Sequence, residues 1–286
     1  MSVLVIGCGD TGLRVARMAL DAGVRCSGLV RQAASVARLR FEGVEALQQD
    51  LDSDGLSLPV ADQVLIAAPP PKQGTQDTRL VRVLSALPPP RRLVYISTSG
   101  VYGDCGGAWV DEHATLRPLT PRAQRRVDAE SRLSDWAQDR GVELVRLRAP
   151  GIYGPGRLPI QRLQRGLPVI RPAEAPWSNR IHVEDLARVA WTAMTAAAVE
   201  SVYNVSDGTP TSMTDYFLRC ARHLGLPEPP QIPLAEAEQR LGAQAASFVR
   251  ESRRLDIRRM REGLGFEPKY PDLDAGIGAS IAAQQG

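Results

Sequence analysis

Along the first half of the chain, short apolar runs alternate with stretches whose apolar residues recur every three or four positions. Val3, Leu4, Val5 and Ile6 form the first run, which stops at Gly7; Leu13, Ala16 and Leu20 then return at helical spacing. An apolar run bounded by glycines reads as a buried strand and the wider spacing as one face of a helix, so residues 2–20 are predicted to be strand, tight turn and helix. Further runs at 24–30, 44–48, 63–67, 92–97 and 144–147 predict more strands. Between them, residues 75–87 set Leu80, Val83, Leu84 and Leu87 on one side of a helix that Pro88-Pro89-Pro90 closes. Residues 121–140 make another, with Pro121 in its first turn and Gly141 at its end. Strands that alternate with helices are expected to lie parallel, which predicts an α/β fold with a doubly wound parallel (Rossmann) sheet.

Past residue 150 the alternation loosens. The pattern predicts a short helix over 158–165, short strands at 169–170 and 179–183, and a helix over 184–197 with Leu186, Val189, Ala190 and Met194 inward. Residues 201–205 read as a strand returning to the main sheet. Later helices are short and punctuated by proline, ending with 258–264 and 273–281, and Pro227-Glu228-Pro229-Pro230 resembles a linker. The expected division is a Rossmann domain of 1–150 and 181–206 and a smaller C-terminal substrate lobe of 151–180 and 207–286.

Composition narrows the class. With 43% hydrophobic and 23% charged residues in 286, the chain can bury a large core and is not expected to be disordered. No apolar run reaches the roughly eighteen residues of a membrane span, and the start passes straight into a strand, so the expectation is a cytoplasmic protein with no membrane partner. Cys8, Cys26, Cys105 and Cys220 form no C-x-x-C pair, and His113, His182 and His223 lie far apart, so neither a disulfide framework nor a metal site is expected. Basic residues are nearly all arginine, Lys72 and Lys269 being the only lysines, yet the net charge is only +3. No nucleic-acid partner is expected from so small an excess.

Candidate chemistry begins at the first turn, Gly7-Cys8-Gly9-Asp10-Thr11-Gly12, a G-x-G-x-x-G between strand and helix. Gly7 permits the sharp turn, Gly9 lets a pyrophosphate approach the backbone, and Gly12 lets the helix pack close to the strand. Free N–H groups at the helix start, around Asp10 and Thr11, face the phosphates. Arg31 ends the second strand nineteen residues past Gly12. An acidic residue there takes a ribose 2′-hydroxyl and an arginine pairs with a 2′-phosphate, so NADP is favoured, NAD is the alternative, and a plain exposed arginine is the competing reading. Asp50 and Leu51 stand where a carboxylate receives an adenine amino group or is merely solvated. Ala67, Ala68 and Pro69, followed by Pro70 and Pro71, let a cofactor lie across the strand ends. Ser97, Thr98 and Ser99 bring hydroxyls to the end of the fifth strand, for a ligand oxygen or as ordinary turn residues.

Three separated segments then spell one pattern. Tyr95-Ile96-Ser97-Thr98-Ser99-Gly100-Val101-Tyr102-Gly103, Arg148-Ala149-Pro150-Gly151-Ile152-Tyr153-Gly154-Pro155-Gly156 and Arg180-Ile181-His182-Val183-Glu184-Asp185-Leu186-Ala187 resemble motifs of the extended short-chain dehydrogenases/reductases, the NAD-dependent epimerase/dehydratase group. Tyr203-Asn204-Val205, Leu264-Gly265-Phe266 and Tyr270-Pro271 extend the likeness almost to the end. The resemblance implies that Thr98 hydrogen-bonds the reacting substrate oxygen and that Pro150, Gly151 and Ile152 form the turn beside the nicotinamide ribose. It also implies that Ser99, Tyr153, Arg180 and His182 border a cleft for a small-molecule substrate, a nucleotide sugar or related carbonyl compound. A homodimer through the helices at 75–87 and 121–140 is implied as well.

One departure is decisive. Members that do chemistry carry Tyr-x-x-x-Lys, the lysine lowering the tyrosine's pKa so that the phenolate moves the proton that accompanies hydride transfer. Counting back four from Glu130, which resembles the glutamate after that lysine, puts Arg126 at the lysine position and Arg122 at the tyrosine position. An arginine stays protonated, so Arg122 is no general base, whereas Arg126 can still hold a ribose hydroxyl. The glycine spacing is also one residue tighter than the family's G-x-x-G-x-x-G, and both departures indicate an atypical subgroup. Tyr102, Tyr153 and His182 are the candidates for the missing acid or base, each with a scaffold or capping role as the alternative. Asp111, Glu112 and His113 read as a solvated loop. Arg250, Arg253, Arg254, Arg258, Arg259 and Arg261 read either as contacts to a diphosphate or as an exposed helix side. Two functions stay open: an NADP-dependent epimerase, dehydratase or reductase, and a non-catalytic NADP(H)-binding sensor or regulatory protein.

Overall fold

Seven strands pair in parallel throughout: β1 (Ser2–Ile6), β2 (Arg25–Val30), β3 (Glu45–Gln48), β4 (Gln63–Ile66), β5 (Arg92–Thr98), β6 (Glu143–Ala149) and β7 (Val202–Asn204). Their order across the sheet, in a computed structural model that describes residues 1–242 and 246–285, is β7-β6-β5-β4-β1-β2-β3. The order reverses between β1 and β4, which opens a crevice at the carboxyl ends of those strands.

Side chains alternate across a strand, so each strand feeds two cores. Val3 and Val5 pack with α1 (Asp10–Asp21), α2 (Ala33–Phe41) and, further along the chain, the helix Val183–Thr195. Leu4 and Ile6 pack on the other face with α3 (Thr78–Ala86) and α4 (Pro121–Arg140). The sequence pattern missed α2, because only Val36 and Leu39 are buried on it. It also began α3 three residues early: Asp77 is the true cap, accepting the Leu80 N–H at 3.1 Å. Helix α4 is framed by its own residues, with the Thr120 hydroxyl accepting from the Ala123 N–H, Pro121 in the first turn and Gly141 left-handed at φ 63°. Its inward stripe of Ala129, Leu133, Trp136 and Ala137 lies on the sheet.

Under the fifth and sixth strands runs a buried polar network. Glu130 on α4 and Arg148 on β6 pair at 2.7 Å with their side chains 3% and 5% exposed. Ser97 donates to Glu130 at 2.5 Å, and Arg148 donates to the Tyr102 hydroxyl, which donates to Asn204 Oδ1 at 2.6 Å. Glu112 corrects the expectation of a solvated loop: it is buried, accepts the Asn204 N–H at 2.7 Å, and its carboxyl is pushed up by burial. Asn204 spends its amide on Val110 O and Asp256 O.

Past residue 150 the chain adds α5 (Ile160–Gln164), α6 (the helix Val183–Thr195), α7 (Met213–His223), α8 (Ala237–Leu241), α9 (Arg258–Leu264) and α10 (Leu273–Gln285), of which α6 and α9 pack into the main core and the others belong to the C-terminal lobe. Tyr153, Leu163, Tyr216, Cys220 and Ile277 make its own core. The division expected from sequence needs one correction: Leu255, Ile257, Met260, Leu264 and Phe266 pack into the main core, and Arg254–Leu255 pairs with Trp109–Val110. Nor is 227–230 a linker, since Pro230 O accepts the Val169 N–H and Gln231–Ile232 pairs with Val169–Ile170. Among the described residues, no helix is long and apolar enough to cross a membrane.

Removing one member of a buried ion pair strands the other, so Glu130→Ala is expected to lose about 3–5 kcal/mol of unfolding free energy. Urea denaturation reads this, and the double variant with Leu at 130 and Met at 148 should recover much of the loss. Equal midpoints for the wild type and Glu130→Ala would show the pair to be immaterial.

Candidate active site

The first turn has the shape its glycines demand. Gly7 adopts φ 84°, and a Cβ there would stand 2.4 Å from the Ala68 nitrogen. A Cβ on Gly12 would meet Val5 Cγ1 at 2.8 Å, so α1 seats against β1 only because that position has none. At Gly9 a Cβ would meet nothing within 4 Å: the turn faces open space where α1 begins and its first N–H groups have no helical partners. Cys8 points the other way, fully buried against Gly28, its thiol pushed up to about 12 by burial.

That open space is a groove. One part, about 490 Å³, is lined by Gly7, Gly9, Asp10, Thr11, Gly12, Arg31 and Ala67, with Gln32 and Ser35 beside Arg31. The adjoining part, about 730 Å³, is lined by Gly7, Arg31, Asp50, Leu51, Ala68 and Pro69. Two arginines that the sequence did not single out complete it. Arg157 crosses the turn to Asp10 at 2.8 Å, and Arg79 pairs with Asp52 while donating to Pro69 O at 3.2 Å. Burial raises the Asp10 carboxyl, but Arg157 and Arg14 outweigh it and hold the group below its ordinary range. The groove fits an extended molecule with a pyrophosphate: it offers helix N–H groups, a side-chain-free approach and an arginine at that end.

A second, smaller cleft of about 190 Å³ opens at the end of β5. Thr98, Ser99, Pro150, Gly151 and Arg180 line it, together with Arg122, Trp177, Met213, Phe248, Glu251 and Arg253, most of which had no local signal. Thr98 Oγ1 accepts the Gly100 N–H at 3.2 Å, which leaves its own proton for another acceptor. Arg180 is buried, its guanidinium 4.7 Å from the Tyr216 ring centroid, and Gly151 lacks a Cβ where Arg180 Nη1 would lie 2.4 Å away. Beneath Arg180 sits Asp207, whose carboxyl is pushed up to about 7 by burial against the opposing pull of the Thr209 N–H and Arg180.

A conserved protein of unknown function from Silicibacter pomeroyi is similar over the full chain, at 33% identity with a TM-score of 0.85, covering 100% of this chain and 99% of that one. Residues 74–206 match the model of the NAD dependent epimerase/dehydratase family. The chain belongs to that family. A proposed NAD-dependent epimerase/dehydratase from Methylobacillus flagellatus is 27% identical with a TM-score of 0.75, covering 100% and 99% of the two chains. A human epimerase family protein solved with NADPH is 19% identical with a TM-score of 0.74, covering 99% of each, and speaks for the fold alone. No curated protein sequence matches the chain.

Arg122, which the resemblance sets at the tyrosine position, lines the cleft, its Nη1 donating to Ser247 Oγ at 2.9 Å and its guanidinium 3.8 Å from the Phe248 ring centroid. Arg126 does not face it: Nη1 donates to Tyr95 OH at 2.7 Å and to Ile96 O at 3.1 Å, which corrects its assignment to a ribose. Ser97 is likewise spent on Glu130, and Ile152 packs into the main core rather than the groove. The three acid–base candidates also need correction. Tyr102 is buried between Arg148 and Asn204, its phenol pushed up to about 12 by burial. Tyr153 is buried against Gly276, its hydroxyl has no hydrogen-bond partner among the described residues, and its phenol is raised by burial. His182 caps α6 through Nδ1, which accepts the Glu184 N–H, so the ring proton sits on Nε2 facing Ser280 Oγ at 3.2 Å; burial lowers its pKa. These three rings are scaffold because desolvation disfavours their charged forms and packing keeps them out of the cleft.

Of the six C-terminal arginines, only Arg253 lines the cleft. Arg258 pairs with Asp256, Arg261 with Glu267, and Arg250 with Glu238 on the surface, so they do not converge on one anion.

Asp207 makes stability depend on pH in a stated direction. Its folded pKa lies above its unfolded one, so between about pH 4 and pH 7 the folded chain holds the extra proton, and this carboxyl's contribution falls as pH rises through that window. Asp207→Asn, which cannot ionise, is therefore expected to gain stability relative to the wild type from pH 5 to pH 8. Urea midpoints at the two pH values measure it; a difference that does not change with pH refutes the assignment.

Proposed function

We propose that the chain is an NAD(P)-dependent oxidoreductase, with NADP preferred, acting on a carbonyl or carbinol compound at Thr98. The observation that carries this is the unobstructed turn at Gly9, opening on a groove over the carboxyl ends of β1 and β4, next to the strand that ends in Thr98. The start of α1 and Arg157 would hold the phosphates. Arg31, with Gln32 and Ser35 beside it, would take a 2′-phosphate, and Asp50 and Leu51 would border the adenine. Pro150 and Gly151 would flank the nicotinamide ribose. When bound, the dinucleotide supplies a two-electron hydride donor or acceptor. Thr98 would hydrogen-bond the substrate oxygen through its free O–H, Arg122 would supply a permanent positive charge beside it, and the proton that balances hydride transfer would be exchanged with solvent. A nucleotide sugar, the class that the family resemblance implies, belongs in the substrate panel beside simpler carbonyl compounds.

A second reading rests on a specific observation. With arginines at both the tyrosine and lysine positions, and Tyr102, Tyr153 and His182 packed away, the chain lacks the family's proton carrier, as a non-catalytic NADP(H) sensor would. Turnover separates the two: oxidation of NADPH with any panel member supports the enzyme, and tight NADPH binding without turnover supports the sensor.

Fluorescence titration is expected to show NADPH binding more tightly than NADH. Arg31→Glu should narrow or reverse that preference by roughly tenfold or more, the scale of one charge-assisted phosphate contact. Gly9→Val should weaken NADPH at least about tenfold with little change in melting temperature, because its side chain enters the groove and not the core. Unchanged NADPH affinity in Gly9→Val would refute the placement of the pyrophosphate.

A further inference from the structure

The cleft at Thr98 is lined by more positive than negative side chains. Three guanidinium groups, of Arg122, Arg180 and Arg253, and one carboxylate, of Glu251, line it. Glu251 and Arg253 pair at 2.8 Å with both side chains nearly buried. Among the described residues, neither Arg122 nor Arg180 has a carboxylate within ion-pairing distance, although Arg180 is only 6% exposed. Three buried polar atoms on these side chains, Arg180 Nε, Arg253 Nε and Glu251 Oε1, have no hydrogen-bond partner among the described residues. Arg180 is held by Ser178 Oγ and Asn179 O, which accept from Nη1 at 3.0 and 2.9 Å, and by the nearby Asp207, but no carboxylate pairs with it directly, and a cleft with such an excess of cations suits an anion.

Beside it lies a chamber of the opposite character. Met213 and Phe248 are walls common to the cleft and to a cavity of about 470 Å³, whose other sides include Val169, Ile170, Phe217 and Val249. Its polar side chains are few: Thr214 donates to Ile170 O at 2.7 Å, and Arg162 donates to Pro168 O at 2.6 Å while its buried Nε has no partner among the described residues. The walls are mainly apolar, with Leu241 and the side chains named above set against Thr214 and Arg162, so an alkyl or aryl group would be well received.

We propose that the substrate is an oxo or hydroxy acid with an apolar tail. Its carboxylate lies between Arg122 and Arg180, its reacting oxygen is at Thr98, and its tail passes Met213 and Phe248 into the chamber. This rests on the oxidoreductase reading above and names the substrate class for the same cleft. It also gives the arginine at the family's tyrosine position a task suited to a permanent cation: binding the acid head.

Calorimetry on the NADPH-saturated full chain tests it with four probes: octanoate, acetate, octyl phosphate and UDP-glucose. Octanoate is expected to bind at least about tenfold more tightly than acetate, since several methylenes leave water on entering the chamber. Arg122→Gln should weaken octanoate roughly tenfold or more, and Phe217→Gln should bring octanoate towards acetate while leaving acetate unchanged. Circular dichroism and melting temperature confirm that both variants fold. Tighter binding of UDP-glucose or octyl phosphate than of octanoate, or indifference of octanoate to Arg122→Gln, overturns the proposal. NADPH affinity is read on the same samples by fluorescence. Its absence defeats the oxidoreductase reading itself, whereas silence of octanoate beside intact NADPH binding defeats the substrate class alone.

Discussion

The ion pair between Glu130 and Arg148 is the constraint around which the cleft is arranged. It joins α4 to β6 inside the protein, where a charge is tolerable only if paired and fully hydrogen-bonded, and the surrounding side chains supply those bonds. Ser97 serves Glu130 and Tyr102 serves Arg148, with Asn204 and Glu112 extending the network to β7. Because α4 is tied down at Glu130, its first turns are carried to the end of β5, which is how Arg122 comes to share a cleft with Thr98.

The same network explains why several motif residues do no chemistry at the surface. Ser97 and Tyr102 sit inside the segment that most resembles the family, yet their hydroxyls face the interior and satisfy charges there. His182 and Tyr153 behave alike on the other side, one capping α6 and the other packed edge-on to it with ring centroids 5.2 Å apart. The polar side chains that do face the cleft are those of Thr98, Ser99, Ser178, Asn179, a set of arginines and Glu251. A site with that inventory handles anions well and, among the described residues that line it, has no tyrosine or histidine to carry a proton.

Cofactor groove and substrate cleft draw on different kinds of structure. The groove is made mostly by residues that directly follow β1, β2, β3 and β4, so its shape is inherited from the sheet. The cleft draws on β5, α4, the turn after β6, the start of α7 and the 247–253 segment, and so depends on how the lobe packs. The chain segment at 254–266 that packs into the main core anchors that last piece.

Whatever depends on neighbours in the chain was legible from the residues themselves: the alternation of strands and helices, the cap and stop of α4, and the three glycines of the first turn. Those features follow from backbone sterics and side-chain period, which act over a few residues. The partners that complete the two sites were not, because Arg157 meets Asp10 across 147 positions and Glu251 joins Thr98 only through the folded lobe. Nor could a hydroxyl or imidazole in a familiar motif disclose which way it faces: Tyr102, Tyr153 and His182 look alike on paper to residues that line a cleft. Long-range packing decides which polar groups are spent on the interior and which are left for a ligand, and no local pattern encodes that choice.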